Sequence, residues 1–154
     1  MPTNFYDKIV IADTSCLLVF SHIERFALLQ ELCPGLITTP EVAMEYKASL
    51  PPWIQVVSVQ NATVTKSINT LLGLGESSAI ALALEVPNSL IILDDKRAKI
   101  YAKSLGLDHT GVIGLLRIGY KRGIIKDVDI KTILSELSAS HFYLPKNVEE
   151  LIKG

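Results

Sequence analysis

The sequence predicts an α/β fold in which a doubly wound, Rossmann-like parallel sheet is flanked by helices. Residues 8–13 and 90–93 are short, continuous apolar runs without alternation, as is typical of strands covered on both faces of a parallel sheet. Segments with apolar residues at helical spacing stand between such runs. Strands that alternate with helices along the chain indicate a parallel sheet with helices on both sides.

The strands are predicted from short segments of apolar and β-branched residues. Pro51 and Pro52 break the chain before the third strand, and Asp94 and Asp95 end the fourth. The predicted strands span residues 8–13, 36–39, 54–59, 90–93 and 107–110.

The helices are predicted from apolar spacing and from signals at their ends. The first ends at Cys33-Pro34-Gly35, and the second has Pro40 in its first turn, a position that proline favours. Polar residues 61–70 lead to a glycine-rich turn and a buried helix. The predicted helices span about residues 15–33, 40–48, 71–86, 96–106 and 111–122, and two helical segments complete the C-terminus.

Length and composition favour one compact domain over residues 1–154. Nearly half of the residues are apolar, and the net charge of −1 gives no global attraction for nucleic acids or anionic membranes. The N-terminus lacks a targeting pattern, and the apolar runs fall short of the ~20 residues that a membrane span needs. Cys16 and Cys33 form neither a metal motif nor a C-x-x-C pair. We therefore expect a cytoplasmic protein with reduced thiols and no membrane association.

Carboxylates stand where the predicted strands and helices end or begin. Asp13 closes the first strand, and Asp94 and Asp95 close the fourth. In open α/β sheets ligands bind beyond the carboxyl ends of the strands, so these acids are expected at one edge. Three glutamates belong to the same set, namely the helical pair Glu41 and Glu45 and, at the start of a buried helix, Glu76.

Each of these acids also has a purely structural interpretation. The aspartates could cap the helices that follow them, and glutamates in a first helical turn suit the helix dipole. Their joint placement favours a second interpretation, because acids that crowd at one edge repel unless a cation is present. Mg²⁺ takes carboxylate oxygens, and such an ion can activate water and stabilise a phosphate under in-line displacement.

The ordered segments IADTS, PEVAMEY, LGLGESSAIALA, LIILDDKRAKIYA and HTGVIGLLRIGYKRGII resemble the PIN-domain nucleases. The similarity covers roughly residues 8–125 and is greatest to the branch related to VapC-type toxins of toxin–antitoxin pairs. It implies a PIN-like fold and a Mg²⁺- or Mn²⁺-dependent endoribonuclease that hydrolyses phosphodiester bonds of single-stranded RNA. A small antitoxin protein that occupies the acidic groove is the partner implied if the protein is such a toxin.

The resemblance also implies roles for individual residues. Asp13 corresponds to the family's first metal ligand, Glu45 to the glutamate of the helix after the second strand, and Glu76 to a position that is often aspartate. The last acid is matched by Asp95 or by its neighbour Asp94. Ser15 stands where members often have a small polar residue that helps to hold water at the metal.

Basic residues follow the aspartate pair and could contact the phosphates that flank the cleaved bond. These are Lys96, Arg97 and Lys99, although lysines on a helix are more often a solvated face. The three histidines have no zinc-site spacing and belong to no nucleophilic triad, so they are expected to be structural.

Two alternatives to an active nuclease remain at this point. One is a catalytically inactive PIN-like module that binds RNA or protein. The other is a receiver or haloacid-type phosphatase, which is less favoured because the sequence lacks the D-x-D-x-T signature. A homodimer is also expected, since the C-terminal apolar residues could complete the core or form a dimer face. These residues are Ile130, Ile133, Leu134, Leu137, Phe142 and Leu144.

Overall fold

The computed structural model describes residues 7–154 and contains, within that range, one five-stranded sheet. All strand pairs are parallel, in the order β3-β2-β1-β4-β5, so the predicted α/β class is confirmed. The strands are β1 (Ile9–Ala12), β2 (Ile37–Thr38), β3 (Gln55–Val56), β4 (Ser89–Ile92) and β5 (His109–Thr110). The helices are α1 (Thr14–His22), α2 (Phe26–Leu32), α3 (Pro40–Tyr46), α4 (Ala62–Asn69), α5 (Leu74–Glu85), α6 (Lys96–Ser104), α7 (Val112–Lys121), α8 (Asp127–Ala139) and α9 (Val148–Lys153).

Helices cover both faces of the sheet, and each face has its own hydrophobic core. Side chains of a strand point alternately to opposite faces, and β1 accordingly sends Val10 and Ala12 into one core and Ile11 into the other. The first core contains residues of α1, α2, α3, α7, α8 and α9, whereas the second contains residues of α4, α5 and α6. This double coverage explains why β1 and β4 are continuous apolar runs.

The order of the strands reverses between β1 and β4, which are neighbours in the sheet. Ala12 at the end of β1 lies beside Ile92 near the end of β4, in parallel register. The chain leaves β1 towards β2 on one side and leaves β4 towards β5 on the other. Such a topological switch point opens a crevice at the carboxyl ends of the strands, and Asp13 and Asp94 follow these ends closely.

The prediction of a single helix over residues 15–33 is wrong, because this segment forms the two helices α1 and α2. The chain turns at Glu24, whose φ of 58° is left-handed, and Arg25 is held by Glu136 of α8 through a 2.6 Å ion pair. Ile23 lies in the turn but is buried, so the apolar spacing continues across the break. Periodicity therefore could not reveal that the helix ends.

Residues 61–70, which were expected only to lead into a turn, contain α4. Asn61 caps this helix by accepting a hydrogen bond from the Thr63 backbone N–H, and Ile68 is buried beneath it. Few apolar residues mark this segment, so its helical spacing is weak in the sequence. The strands predicted over residues 36–39, 54–59 and 107–110 are also shorter than expected, since they are limited to Ile37–Thr38, Gln55–Val56 and His109–Thr110.

The C-terminal segments complete the core rather than forming an exposed apolar face. The four apolar residues of α8 are buried, while Phe142 and Leu144 pack against the same core. The four are Ile130, Ile133, Leu134 and Leu137.

Over residues 7–154, no helix is long and apolar enough to cross a bilayer. The N-terminal residues 1–6, on which the expected lack of a targeting segment partly depends, lie outside the described residues.

Candidate active site

An acidic pocket of about 220 Å³ opens where β1 ends. It brings together side chains from four places in the chain: the start of α1, the end of α3, the start of α5 and the start of α6. Its lining residues are Asp13, Thr14, Ser15, Glu45, Gly73, Gly75, Glu76 and Asp95. Four of the predicted site acids, together with Ser15, thus line one cavity.

Asp13 is the innermost acid of this pocket, with 1% of its surface exposed. Its Oδ1 accepts a hydrogen bond from the Cys16 backbone N–H (2.9 Å) and so caps α1, while its Oδ2 has no partner. Burial raises the pKa of Asp13 from 3.8 to about 7, against the lowering effect of the Cys16 bond and with further raising by Asp94 and Glu76. A buried carboxylate oxygen without a partner is costly and calls for a ligand to complete it.

Glu45 extends from the end of α3 across the mouth of the pocket. Its Oε1 accepts from the Thr14 hydroxyl (2.6 Å), and its Oε2 accepts from the Gly75 backbone N–H (3.2 Å). A Cβ at position 75 would overlap Oε1 of Glu45 and would lie 2.7 Å from Oγ1 of Thr14. Glycine is therefore the residue that allows Glu45 to contact the start of α5.

Two buried threonines place α3 against the sheet and α5. The Thr38 hydroxyl donates to the Ala12 carbonyl (2.7 Å), which ties β2 to the end of β1. The Thr39 hydroxyl caps α3 through the Val42 N–H and shares a 2.7 Å hydrogen bond with Ser78 of α5. These bonds fix the two helices that carry Glu45 and Glu76.

Glu76 occupies the first turn of α5 and bends back over the helix start. Partial burial raises its pKa, the charge of Asp95 raises it further, and a hydrogen bond from the Gly73 backbone N–H lowers it. The charge of Glu45 adds to the increase, and Arg97 opposes it. The charges of Asp95 and Glu45 therefore act on Glu76, as expected of carboxylates held close together.

Asp94 and Asp95 are adjacent in sequence but point to different helices and different cavities. Asp95 lines the acidic pocket and caps α6 by accepting from the Ala98 N–H (2.9 Å). Asp94 accepts from the Val112 N–H at the start of α7 (3.1 Å) and lies 3.9 Å from Nζ of Lys99. Burial raises the pKa of Asp94, and its charge also reaches Asp13.

Other predicted residues lie around the pocket rather than in it. Glu41, one turn before Glu45, is not among the lining residues, and neither are the basic residues of α6. Lys96 is exposed, while Arg97 is exposed and donates to the Leu71 carbonyl (2.8 Å). Lys99 lines the neighbouring cavity beside Asp94.

The donor set of the pocket suits a hard divalent cation, since it consists of carboxylate and hydroxyl oxygens. As the side chains stand, no group of three or more histidine, cysteine, aspartate or glutamate residues between 7 and 154 is placed to hold a metal ion. The hydrogen bonds explain this, because the acids turn towards backbone N–H groups and the Thr14 hydroxyl. Oδ2 of Asp13 is buried and has no hydrogen-bond partner, so it is open to a cation.

Sequence reasoning did not assign functions to Thr14 or Gly75. The Thr14 hydroxyl donates to Glu45, which is 31 positions away, so no local pattern in the sequence marks this contact. The sequence predicts a glycine-rich turn before the buried helix, whereas Gly75 lies within α5 and leaves room for the Glu45 side chain. The local sequence signal is the order Gly-Glu at the start of a buried helix. This order does not indicate which side chain contacts the glycine.

An acidic pocket at the switch point of a doubly wound parallel sheet defines a class of α/β proteins with a carboxylate-lined site. Comparison with protein families narrows this class: the model for "DUF3368: PIN domain" matches residues 9–153. The chain therefore belongs to this PIN-domain family. PIN domains have a nuclease-type fold, act on nucleic acid and typically use divalent metal ions. Searches of curated proteins and of solved structures gave no significant match.

Proposed function

We propose that this protein is an endoribonuclease that hydrolyses phosphodiester bonds of single-stranded RNA with Mg²⁺ or Mn²⁺. Asp13, Glu45, Glu76 and Asp95 would hold the ion, with Asp94 beside them. One observation carries the proposal: the buried Asp13 has an Oδ2 without a partner, in a pocket lined by three further acids. A cation there would complete the coordination of that oxygen and relieve the repulsion among the acids.

The residues of the chain would prepare the site in distinct ways. The Thr14 hydroxyl and the Gly75 N–H hold both oxygens of Glu45, which fixes this side chain at the mouth of the pocket. Ser15 is exposed at the same mouth and can orient water with its hydroxyl. When bound, the ion would supply an activated water nucleophile and stabilise negative charge on the phosphate.

The basic residues of α6 would guide the RNA backbone. Lys96 and Lys99 can pair with phosphates that flank the cleaved bond, whereas Arg97 already bonds the Leu71 carbonyl and would contribute mainly long-range attraction. Because the net charge is −1, binding would depend on this local cluster and would weaken as salt concentration rises.

The test is cleavage of a single-stranded RNA in Mn²⁺ by the wild type and by Asp13→Asn. The substitution keeps the oxygen that caps α1 but removes the charge, so cleavage should fall by a factor of about 100 or more. Asp108→Asn is the matched control, because Asp108 pairs with Lys8 and does not line the pocket. Equal cleavage by the wild type and Asp13→Asn would refute the proposal.

A catalytically inactive module that binds RNA or protein is the second candidate. The side-chain positions of the acids favour this candidate. Over residues 7–154, these positions form no group of three metal ligands. Calorimetric titration with Mn²⁺ separates the two candidates. An enzyme should show saturable binding that Asp13→Asn abolishes, and an inactive module should show none.

We further propose that the enzyme acts in the cytoplasm as a VapC-type toxin. The similarity of the motif order supports this placement, and the two cysteines are free and buried, as in reduced proteins. An antitoxin would cover the acidic groove and should be encoded in a neighbouring reading frame. The homodimer stays a prediction that sedimentation analysis tests, and it cannot use the core residues of α8 as its face.

A further inference from the structure

A second cavity, of about 340 Å³, lies beside the acidic pocket. It is bounded by the start of α7 and by the segment that joins α8 to α9. Asp94 and Lys99 line one part of it, and Phe142, Tyr143 and Pro145 line another. Its size falls within the range of small-ligand sites, which is about 300–1,000 Å³.

Tyr143 lines this cavity and has little support from the core. The residue is 82% exposed, whereas the neighbouring Phe142 is half-buried and packs against the core. Packing in the core therefore explains the position of Phe142, but it does not explain the exposed ring of Tyr143. An exposed ring on a cavity wall is a stacking surface for a planar ligand.

The backbone that carries Tyr143 is fixed by a Schellman motif at the end of α8. The Phe142 N–H donates to the Leu137 carbonyl (3.0 Å), and the His141 N–H donates to the Ser138 carbonyl (3.1 Å). His141 adopts a φ of 62° to close the motif, although it is not glycine. Since Phe142 is also anchored in the core, the ring next to it starts from an ordered backbone and binding would cost little ordering entropy.

Asp94 connects this cavity to the acidic pocket, because it lines the cavity and its charge reaches Asp13. Lys99 lies 3.9 Å from Asp94, and its side chain remains 39% exposed. An ion pair this long and exposed contributes little, so Lys99 is available to a phosphate. The cavity thus combines an aromatic surface with a cation next to the acidic pocket.

We propose that this cavity is a nucleotide subsite in which the base of a residue flanking the cleaved phosphate stacks on Tyr143 while a backbone phosphate pairs with Lys99. The inference rests on the proposed function, because it takes the acidic pocket as the place of cleavage. The ligand is a nucleotide of single-stranded nucleic acid, recognised through stacking and charge. Every base has a flat face, so the subsite would tolerate all four bases.

The experiment measures binding of a single-stranded hexaribonucleotide with one central 2-aminopurine. All proteins carry Asp13→Asn, so that the probe is not cleaved, and Mg²⁺ is present throughout. Against this parent, Tyr143→Ala should raise Kd at least about 5-fold and abolish the quenching that stacking causes. Tyr143→Phe, which keeps the ring, should stay within about 2-fold of the parent.

Two further variants separate stacking from charge and from loss of exposed apolar surface. Val128→Ala is the matched control, because Val128 is 79% exposed on α8 and does not line the cavity. It should leave Kd unchanged. Lys99→Ala should weaken binding equally for all sequences and reduce the slope of log Kd against log salt by about 1.

Binding by Tyr143→Ala within about 2-fold of the parent would overturn the subsite and indicate another use of the ring, such as protein contact. Failure of all proteins to bind the probe would overturn it equally. The proposed function fails separately, through absence of Mn²⁺ binding and RNA cleavage in the wild type. Neither of those measurements involves Tyr143, so the two failures are distinguishable.

Discussion

Replacing Asp13 by asparagine should remove the loss of stability that the Asp13 carboxyl imposes as the pH rises from about 4 to about 7. The pKa of Asp13 is about 7 in the folded protein and 3.8 is its ordinary value, so the folded state retains a proton that the unfolded chain releases. Stability is therefore highest below about pH 4 for this group and falls as the pH rises towards 7, where the folded carboxyl also ionises. A pKa difference of this size corresponds to a total of about 4 kcal/mol.

Between about pH 5 and about pH 8 the contribution of Asp13 amounts to a loss of about 2–3 kcal/mol. Asparagine cannot ionise, and its Oδ1 can still accept the Cys16 N–H that caps α1. Glu76 and Asp94 also have raised pKa values and weaken the fold in the same direction, but they remain in both proteins. The difference between the two proteins therefore reports the ionisation of Asp13 together with its charge interactions with Asp94 and Glu76.

The assay is urea unfolding followed by circular dichroism at both pH values in EDTA. The free energy of unfolding of the wild type should decrease by about 2–3 kcal/mol more than that of Asp13→Asn. Mn²⁺ should then restore the wild type at about pH 8, because it binds the folded, ionised site, and should leave the variant unchanged. A pH dependence equal in the two proteins within about 0.5 kcal/mol would refute the assignment of a buried, ionisable Asp13.

Three further predictions concern the supporting residues. Gly75→Ala should displace Glu45 and weaken Mn²⁺ binding about 10-fold with the fold retained; calorimetry tests this, and unchanged affinity would contradict it. Thr14→Val should reduce Mn²⁺-dependent cleavage about 10-fold while Thr14→Ser stays near wild type, and equal rates for both variants would argue against the 2.6 Å hydrogen bond to Glu45 as the cause. His141→Gly should stabilise the protein by about 0.5–1 kcal/mol in urea unfolding, because glycine adopts the left-handed φ without strain, and any loss of stability would count against this reasoning.

The fold could be predicted because its main signals are local. The apolar runs of β1 and β4 are buried on both faces, and this burial is visible as a lack of alternation. The break between α1 and α2 could not be predicted in the same way. It depends on the left-handed conformation of Glu24 and on the pairing of Arg25 with Glu136. Arg25 and Glu136 are 111 positions apart in the sequence. Long-range contacts of this kind leave no periodic trace.

The acidic site was predictable in outline for a related reason. Acids at the ends of parallel strands must meet at one edge of the sheet, so Asp13 and Asp95 could be joined before any geometry was known. The position of Glu45 could not be predicted, because it depends on a hydrogen bond from the Thr14 hydroxyl and on the space left by the absence of a Cβ at Gly75. Sequence also could not separate Asp94 from Asp95, because the two diverge through long-range contacts: Asp95 caps α6, whereas Asp94 accepts from the Val112 N–H of α7.

The structural and the functional interpretations of these acids are compatible, since a carboxylate has two oxygens. Asp13 uses one oxygen to cap α1 and leaves the other unpartnered, and Asp95 uses Oδ1 to cap α6. Caps of this kind contribute about 1 kcal/mol each and hold the side chains in place before any cation binds. Substitution by asparagine should therefore remove charge and spare the cap, whereas alanine should remove both. A stability loss of about 1 kcal/mol for Asp95→Ala, absent in Asp95→Asn, would show that the cap on α6 depends on the Asp95 oxygen and not on its charge, which leaves the charge free for a cation.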